Sequence, residues 1–250
     1  MAKRVIMASA AAVLALSAPL LAQKAPRPSD YTQALVADGR PPADLQRDED
    51  RKPADMLAFA GVRPGWKVAE LAPGGGYFTR LLSLAVGPRG KVYANSSRPL
   101  PWLAAWTTAH PNVILQASPL PTPLAPEPVD LVWTTQNYHD FKNRPADANG
   151  KDGAAQYNAA AFAVLKPGGV YLVSDHEGAA GTGATQTNTL HRIESGAVIR
   201  EVEAAGFKLA GRSDVLKHPA DDHTGKVFDS GIRGKTDQFV LRFVKPRARR

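Results

Sequence analysis

The sequence predicts an α/β protein, with a mostly parallel sheet covered by helices on both faces. Three observations carry this prediction. From Trp66 onward, short apolar runs alternate with segments of helical period, joined by short turns. One such run leads into a triple glycine from which a helix departs. The 250 residues are 44% hydrophobic and 22% charged, enough to build a core and too apolar for wholesale disorder.

Residues 1–22 read MAKRVIMASAAAVLALSAPLLA. Two cations, Lys3 and Arg4, precede an uncharged run from Val5 to Ala22, and small residues lead to Gln23. This is the layout of a secretory signal peptide, with cleavage expected after Ala22 and the bacterial periplasm as destination. An uncleaved anchor is the alternative, and it would be the protein's one membrane contact. There is no cysteine, which excludes disulfides, thiolate nucleophiles, thiolate-bound zinc and a lipid anchor after the leader.

Residues 23–65 read as a linker with N-terminal helices. One short helix is expected near Tyr31–Ala37 and another from Pro53 to about Ala60, where Pro53 suits a first turn and Gly61 a C-cap. Residues 66–244 hold the alternating pattern. Strands are expected at Lys67–Leu71, Lys91–Ala94, Val113–Gln116, Val129–Thr134, Val170–Ser174, Phe207–Arg212 and Gln238–Val244. Phe78, Leu81, Leu82 and Ala85 form one helix face, Pro101–Ala109 and Ala154–Leu165 are further helices, and Leu190 to Ala205 forms another face. In such sheets ligands bind beyond the carboxyl ends of the strands, so chemistry is sought in the loops there.

The formal charge of +8 is concentrated at the ends. Lys3 and Arg4 lie in the leader, and Lys245, Arg247, Arg249 and Arg250 in a tail over 245–250; removing these six leaves +2. The tail reads as solvated, with a membrane-surface or polyanion contact as the alternative. No zinc finger, ribonucleoprotein motif or recognition-helix pattern is present, so no nucleic-acid partner is expected.

The strongest local signal is Val68-Ala-Glu-Leu-Ala-Pro-Gly-Gly-Gly-Tyr-Phe-Thr79. A dinucleotide fingerprint could use Gly74 and Gly76, but Thr79 stands where its third glycine belongs. The other reading is an acid-x-small-x-G-x-G loop, met by Glu70, Ala72, Gly74 and Gly76. This resembles motif I of the class I S-adenosylmethionine-dependent methyltransferases. Val164-Leu-Lys-Pro-Gly-Gly-Val-Tyr-Leu-Val-Ser174, Asp130-Leu-Val-Trp133 and Glu203-Ala-Ala-Gly-Phe207 are similar to later blocks of that superfamily, in order, over about 53–244. Arg51-Lys-Pro-Ala-Asp, Pro73-Gly-Gly-Gly-Tyr, Tyr138-His-Asp140 and Arg233-Gly-Lys-Thr-Asp-Gln-Phe239 look more narrowly like exported bacterial proteins called predicted methyltransferases.

The resemblance implies a Rossmann-like domain of seven strands, the last antiparallel, and methyl transfer from S-adenosylmethionine to a small-molecule acceptor. Glu70, Ala72, Gly74 and Gly76 would cradle the methionine part of the cofactor. The family's ribose-binding acid is replaced by Asn95, and Ser118 stands in the loop that meets the adenine. Methyl transfer requires a positioned acceptor and, for oxygen or nitrogen acceptors, removal of a proton. His139, with Asp140 to orient it, is the first candidate base, and His176 the second; a structural role is the alternative for each. Tyr77, Phe78 and Trp102 offer aromatic faces to a sulfonium or, alternatively, pack in the core.

Two other classes stay open: a non-catalytic ligand-binding protein on the same fold, and a metal hydrolase. For the latter, His139, Asp140, Asp175, His176, Glu177, His191 and Asp221-Asp-His223 supply suitable nitrogen and oxygen atoms. No compact ligand spacing is present, so no metal is assigned.

Overall fold

The computed structural model describes residues 24–116 and 123–247. The leader, Ser118 and the last two arginines lie outside them.

Seven strands form one sheet: β1 Lys67–Leu71, β2 Lys91–Asn95, β3 Val113–Gln116, β4 Val129–Thr135, β5 Leu165–His176, β6 Lys208–Ser213 and β7 Gln238–Val244. Their spatial order is β3-β2-β1-β4-β5-β7-β6. All pairs are parallel except those made by β7, which runs antiparallel to β5 and β6. The expected Rossmann-like sheet is therefore present, with its reversed last strand. The chain runs outward from β1 to β3, then returns to place β4 beside β1. That return makes the gap between β1 and β4 the topological switch point, where a crevice opens.

Side chains alternate across the sheet, as the two-residue strand period requires. Val68, Leu131, Trp133, Val170 and Leu172 enter one apolar cluster. Ala69, Leu71, Val132, Tyr171 and Val173 enter the other. The first cluster is covered by α4 (Pro53–Ala60), α5 (Tyr77–Val86) and α6 (Leu103–Ala109). The second is covered by α8 (Gly153–Val164) and α9 (Ser195–Ala204). On α5 the expected face is real: Phe78, Leu81 and Leu82 are buried. Among the described residues no helix is long and apolar enough to cross a membrane.

Three local expectations are corrected. In the segment read as a linker with N-terminal helices, the helix expected near Tyr31–Ala37 is α1 (Thr32–Val36) and the one from Pro53 is α4, but a 3₁₀ turn (Pro28–Tyr31), α2 (Pro42–Leu45) and α3 (Asp48–Arg51) stand where linker was expected. The segment packs on the domain: Tyr31 is buried and its hydroxyl donates to the Val62 carbonyl at 2.7 Å. The helix expected from Leu190 begins only at Ser195. Ile193 instead bridges to Glu177, whose carboxylate accepts the Ser195 N–H at 2.7 Å and so sets the helix start. The third correction concerns the base candidates. Residues 138–142 form a short helix, α7 (Tyr138–Lys142), and Asp175 and His176 are the last residues of β5, paired with Phe239 and Gln238.

Candidate functional site

The loops after β1 and β4 meet at the switch point. Beyond Leu71 the chain turns at Ala72 with φ +51°, and Gly74 (φ +55°) and Gly76 (φ +81°) are also left-handed. The two glycines do different work. A Cβ on Gly74 or Gly75 would meet nothing within 4 Å, so both present bare backbone to open space. A Cβ on Gly76 would lie 2.6 Å from the Trp102 ring. Trp102 in turn donates its indole N–H to the Gly74 carbonyl at 2.8 Å. Arg80 donates to the Gly75 carbonyl at 2.8 Å and to Asp44 at 2.7 Å, tying the loop to α2. Asn137 donates its amide to the Ala72 carbonyl at 3.3 Å, joining the β1 and β4 loops.

Two clefts adjoin at Ala72, Gly74 and Asn137. The narrower, about 220 Å³, is lined by Asp44, Arg47, Arg51, Glu70, Tyr77 and Gln136 among others. The wider, about 530 Å³, has Asn95–Leu100 on one side and Asp140, Phe141, Arg144 and Tyr157 on the other. Of these two, the wider cleft falls in the range of about 300–1,000 Å³ usual for small-molecule sites. A separate cleft of about 320 Å³, lined by Tyr31, Arg63 and Leu84, contains none of the candidate residues.

Glu70 is buried because it sits on β1, facing α5, where its carboxylate accepts the Thr79 hydroxyl at 2.5 Å. Burial pushes its pKa up to about 7, against the opposing pull of Thr79, Arg80 and Arg51. Arg51 reaches the narrower cleft from α3, donates to Gln136 at 2.7 Å, and lies 4.8 Å from the Tyr77 ring centre. Burial lowers its pKa to about 10, which leaves it cationic at neutral pH. Tyr77 and Phe78 belong to the core cluster, and the Tyr77 hydroxyl donates to Asp48 at 2.6 Å. Asn95 is buried and donates its amide to its own strand at the Tyr93 carbonyl, 3.0 Å away, and among the described residues its side-chain oxygen accepts no hydrogen bond.

The histidines gather around Asp175, which is fully buried at the end of β5. One carboxylate oxygen accepts His139 Nδ1–H at 2.8 Å and the His176 backbone N–H at 2.8 Å; the other accepts the His139 backbone N–H at 2.8 Å. This fixes the His139 tautomer, so the neutral ring carries its lone pair on Nε2. Nε2 lies 3.3 Å from His191 Nδ1 and 3.4 Å from Asp140 Oδ1. Burial opposes charge on His139, but Asp175 and then Asp140 outweigh it, and the pKa is raised. His176 goes the other way: burial brings it down to about 4, and its Nδ1 meets the Thr236 hydroxyl at 2.7 Å.

The structure thus groups Glu70, Ala72 and Gly74 on the two clefts, with Asn95 and Asp140 on the wider one and His139 behind Asp140. It does not bring in Asp221-Asp-His223. Asp221 makes a two-pronged pair with buried Arg192 at 2.8 and 3.0 Å, and His223 meets Asp237 at 3.1 Å. Glu177 caps α9. Arg51, Asp44 and Gln136 were missed by sequence reasoning; Arg51 stood in a motif quoted for the family resemblance, but with no role attached.

No protein-family model matches the sequence, and no curated protein does. Solved structures match in fold. A SAM-dependent methyltransferase from Aquifex aeolicus aligns at TM-score 0.58 and 19% identity, over 87% of this chain and 98% of that one. The 1,6-didemethyltoxoflavin N1-methyltransferase of Burkholderia thailandensis, solved with S-adenosylhomocysteine, aligns at TM-score 0.56 and 19% identity, over 88% and 87%. The [4+2]-cyclase SpnF aligns at TM-score 0.57 and 16% identity, over 80% and 81%. The chain has the fold of these proteins.

Proposed function

We propose that this protein is an exported methyltransferase that uses S-adenosylmethionine to methylate a small molecule, in the line of the exported bacterial proteins it resembles. The observation that carries the reading is the glycine loop: bare backbone at Gly74 and Gly75, aimed into open space at the switch point, between two polar clefts. Export rests on the leader sequence.

The residues suit the cofactor. In the narrower cleft, cationic Arg51 matches a carboxylate and Glu70 an ammonium, the two charges of a free amino acid. Ala72, Gly74 and Gly76 form the cradle between them. Along the wider cleft, Asn95 offers an uncharged acceptor to a ribose hydroxyl; Ser118 would meet the adenine amine. Bound there, S-adenosylmethionine supplies an electrophilic methyl group.

This chain's own residues do the rest. Asn137 and the wall from Asp140 to Tyr157 position the acceptor. His139, oriented by Asp175, takes the acceptor's proton on Nε2, and Asp140 steadies the resulting cation. His176, already neutral, is the second proton acceptor. A ligand-binding protein without methyl transfer is the alternative reading, favoured by the missing ribose acid at Asn95.

Calorimetric titration of S-adenosylmethionine and S-adenosylhomocysteine, with Gly74→Arg as control, tests the reading. Micromolar binding that the substitution abolishes supports it. No binding at millimolar ligand overturns it.

A further inference from the structure

We propose that His139, Asp140 and His191 form a binding site for one divalent transition-metal ion of the zinc class. The proposal stands on geometry and does not depend on methyl transfer.

His139 Nε2, His191 Nδ1 and Asp140 Oδ1 lie 3.3, 3.4 and 3.7 Å from one another. A triangle with these sides has a circumscribed circle of radius about 2.0 Å, and zinc binds imidazole nitrogen and carboxylate oxygen at about 2.0–2.2 Å. The sides also match the edge of about 3.4 Å that a tetrahedron of such bonds requires. One ion therefore reaches all three atoms with little movement. Two imidazoles and one carboxylate, without thiolate, are the donor set of a borderline metal such as zinc, cobalt or nickel.

The surroundings are those of a held ligand. Asp175 grips the far nitrogen of His139 at 2.8 Å, which aims Nε2 at the cluster and raises its donor strength. His191 adopts φ +57°, a costly backbone for a side chain, and its ring rests against Phe228 at 4.7 Å between centres. The ring is thus set by backbone and packing together. Asp140 is half-exposed and lines the wider cleft, so the site borders the space where a small molecule would sit. Three protein ligands and an accessible fourth position are the pattern of a working metal rather than a structural one. With an ion bound, the His139 Nε2 lone pair is committed to it. Lowering the pKa of an incoming hydroxyl then falls to the ion instead of the imidazole.

The test uses the purified protein, free of affinity tag and stripped by chelation. Zinc is titrated by calorimetry and cobalt by its visible absorption. The expected result is one ion per chain, bound at submicromolar concentration, with cobalt bands of a four-coordinate site. Loss of an outer partner of a ligand already costs about 10–100-fold in affinity. His191→Ala and Asp140→Ala should therefore each weaken zinc at least about 10-fold, while His110→Ala leaves it unchanged. Neither altered side chain is fully buried, and thermal melts of the stripped proteins check that both variants fold. No saturable zinc binding, or the same affinity in native protein and both variants, overturns the proposal. Calorimetry with S-adenosylmethionine on the same stripped protein reports separately on the cofactor reading.

Discussion

Asp175 holds His139 at two points, taking the ring Nδ1–H on one carboxylate oxygen and the backbone N–H of the same residue on the other, each at 2.8 Å. The carboxylate thereby sets both the position of α7 and the tautomer of its imidazole. Asp175→Asn replaces one accepting oxygen by an NH₂ that faces an N–H. A charge-assisted hydrogen bond is worth about 1.5–3 kcal/mol, so the variant should lose about 2 kcal/mol or more in urea denaturation. A loss within the error of the measurement would show that the contact does not fix α7.

Glu70 makes stability depend on pH. Its carboxyl is raised from 4.5 to about 7 in the folded chain, mainly by burial. The unfolded chain therefore ionises first, and stability is full below about pH 4.5 and falls as pH rises through about 7. A shift of this size corresponds to about 3 kcal/mol. Glu70→Gln should remove the decline. Urea denaturation of both proteins at pH 5 and pH 8 checks this, and parallel pH profiles would contradict it.

The same carboxyl links binding to protons. An ammonium placed beside Glu70 favours its charged form, so S-adenosylmethionine should release a proton on binding near pH 6.5. Calorimetry in buffers of different ionisation enthalpy measures that proton. Equal apparent heats in all buffers would place the ammonium elsewhere.

The glycines should separate binding from folding. Gly74→Arg puts a side chain into open space and should fold, at a cost of about 1–2 kcal/mol for its positive φ, while blocking the cradle. Gly76→Ala carries a similar cost and also drives a Cβ to 2.6 Å from Trp102, so it should lose about 2 kcal/mol or more. Melting curves beside ligand titrations discriminate the two; equal stability losses would refute the distinction.

Ala72 occupies a left-handed position with φ +51°, a backbone that a residue with a Cβ adopts only at a cost. Ala72→Gly should stabilise the chain by up to about 1 kcal/mol, because relief of the strained Cβ exceeds the added unfolded-state entropy. A lower urea midpoint in the variant would mean that the Ala72 methyl contributes packing that outweighs the strain.

By itself the sequence determined the sheet and the loop. Short apolar runs mark strands buried on both faces and the helical period marks the buried face of a helix, and that local information survives in the order of residues. Hence Val68 and Leu71, or Phe78 and Leu81, could be assigned without coordinates, and the triple glycine marked the turn that only glycine makes cheaply. The reversal of the last strand came through the family resemblance, and the sheet bears it out. The tertiary structure decided which distant groups meet. Arg51 and Asp44 came from a segment rich in proline and charge, whose short helices are held by packing on the domain rather than by any periodicity. His191 fell inside the helix expected from Leu190, and Glu177 instead starts that helix at Ser195, leaving the imidazole beside His139, 52 residues away in sequence. Such meetings depend on sheet order and on a few long-range hydrogen bonds, and neither leaves a periodic trace along the chain.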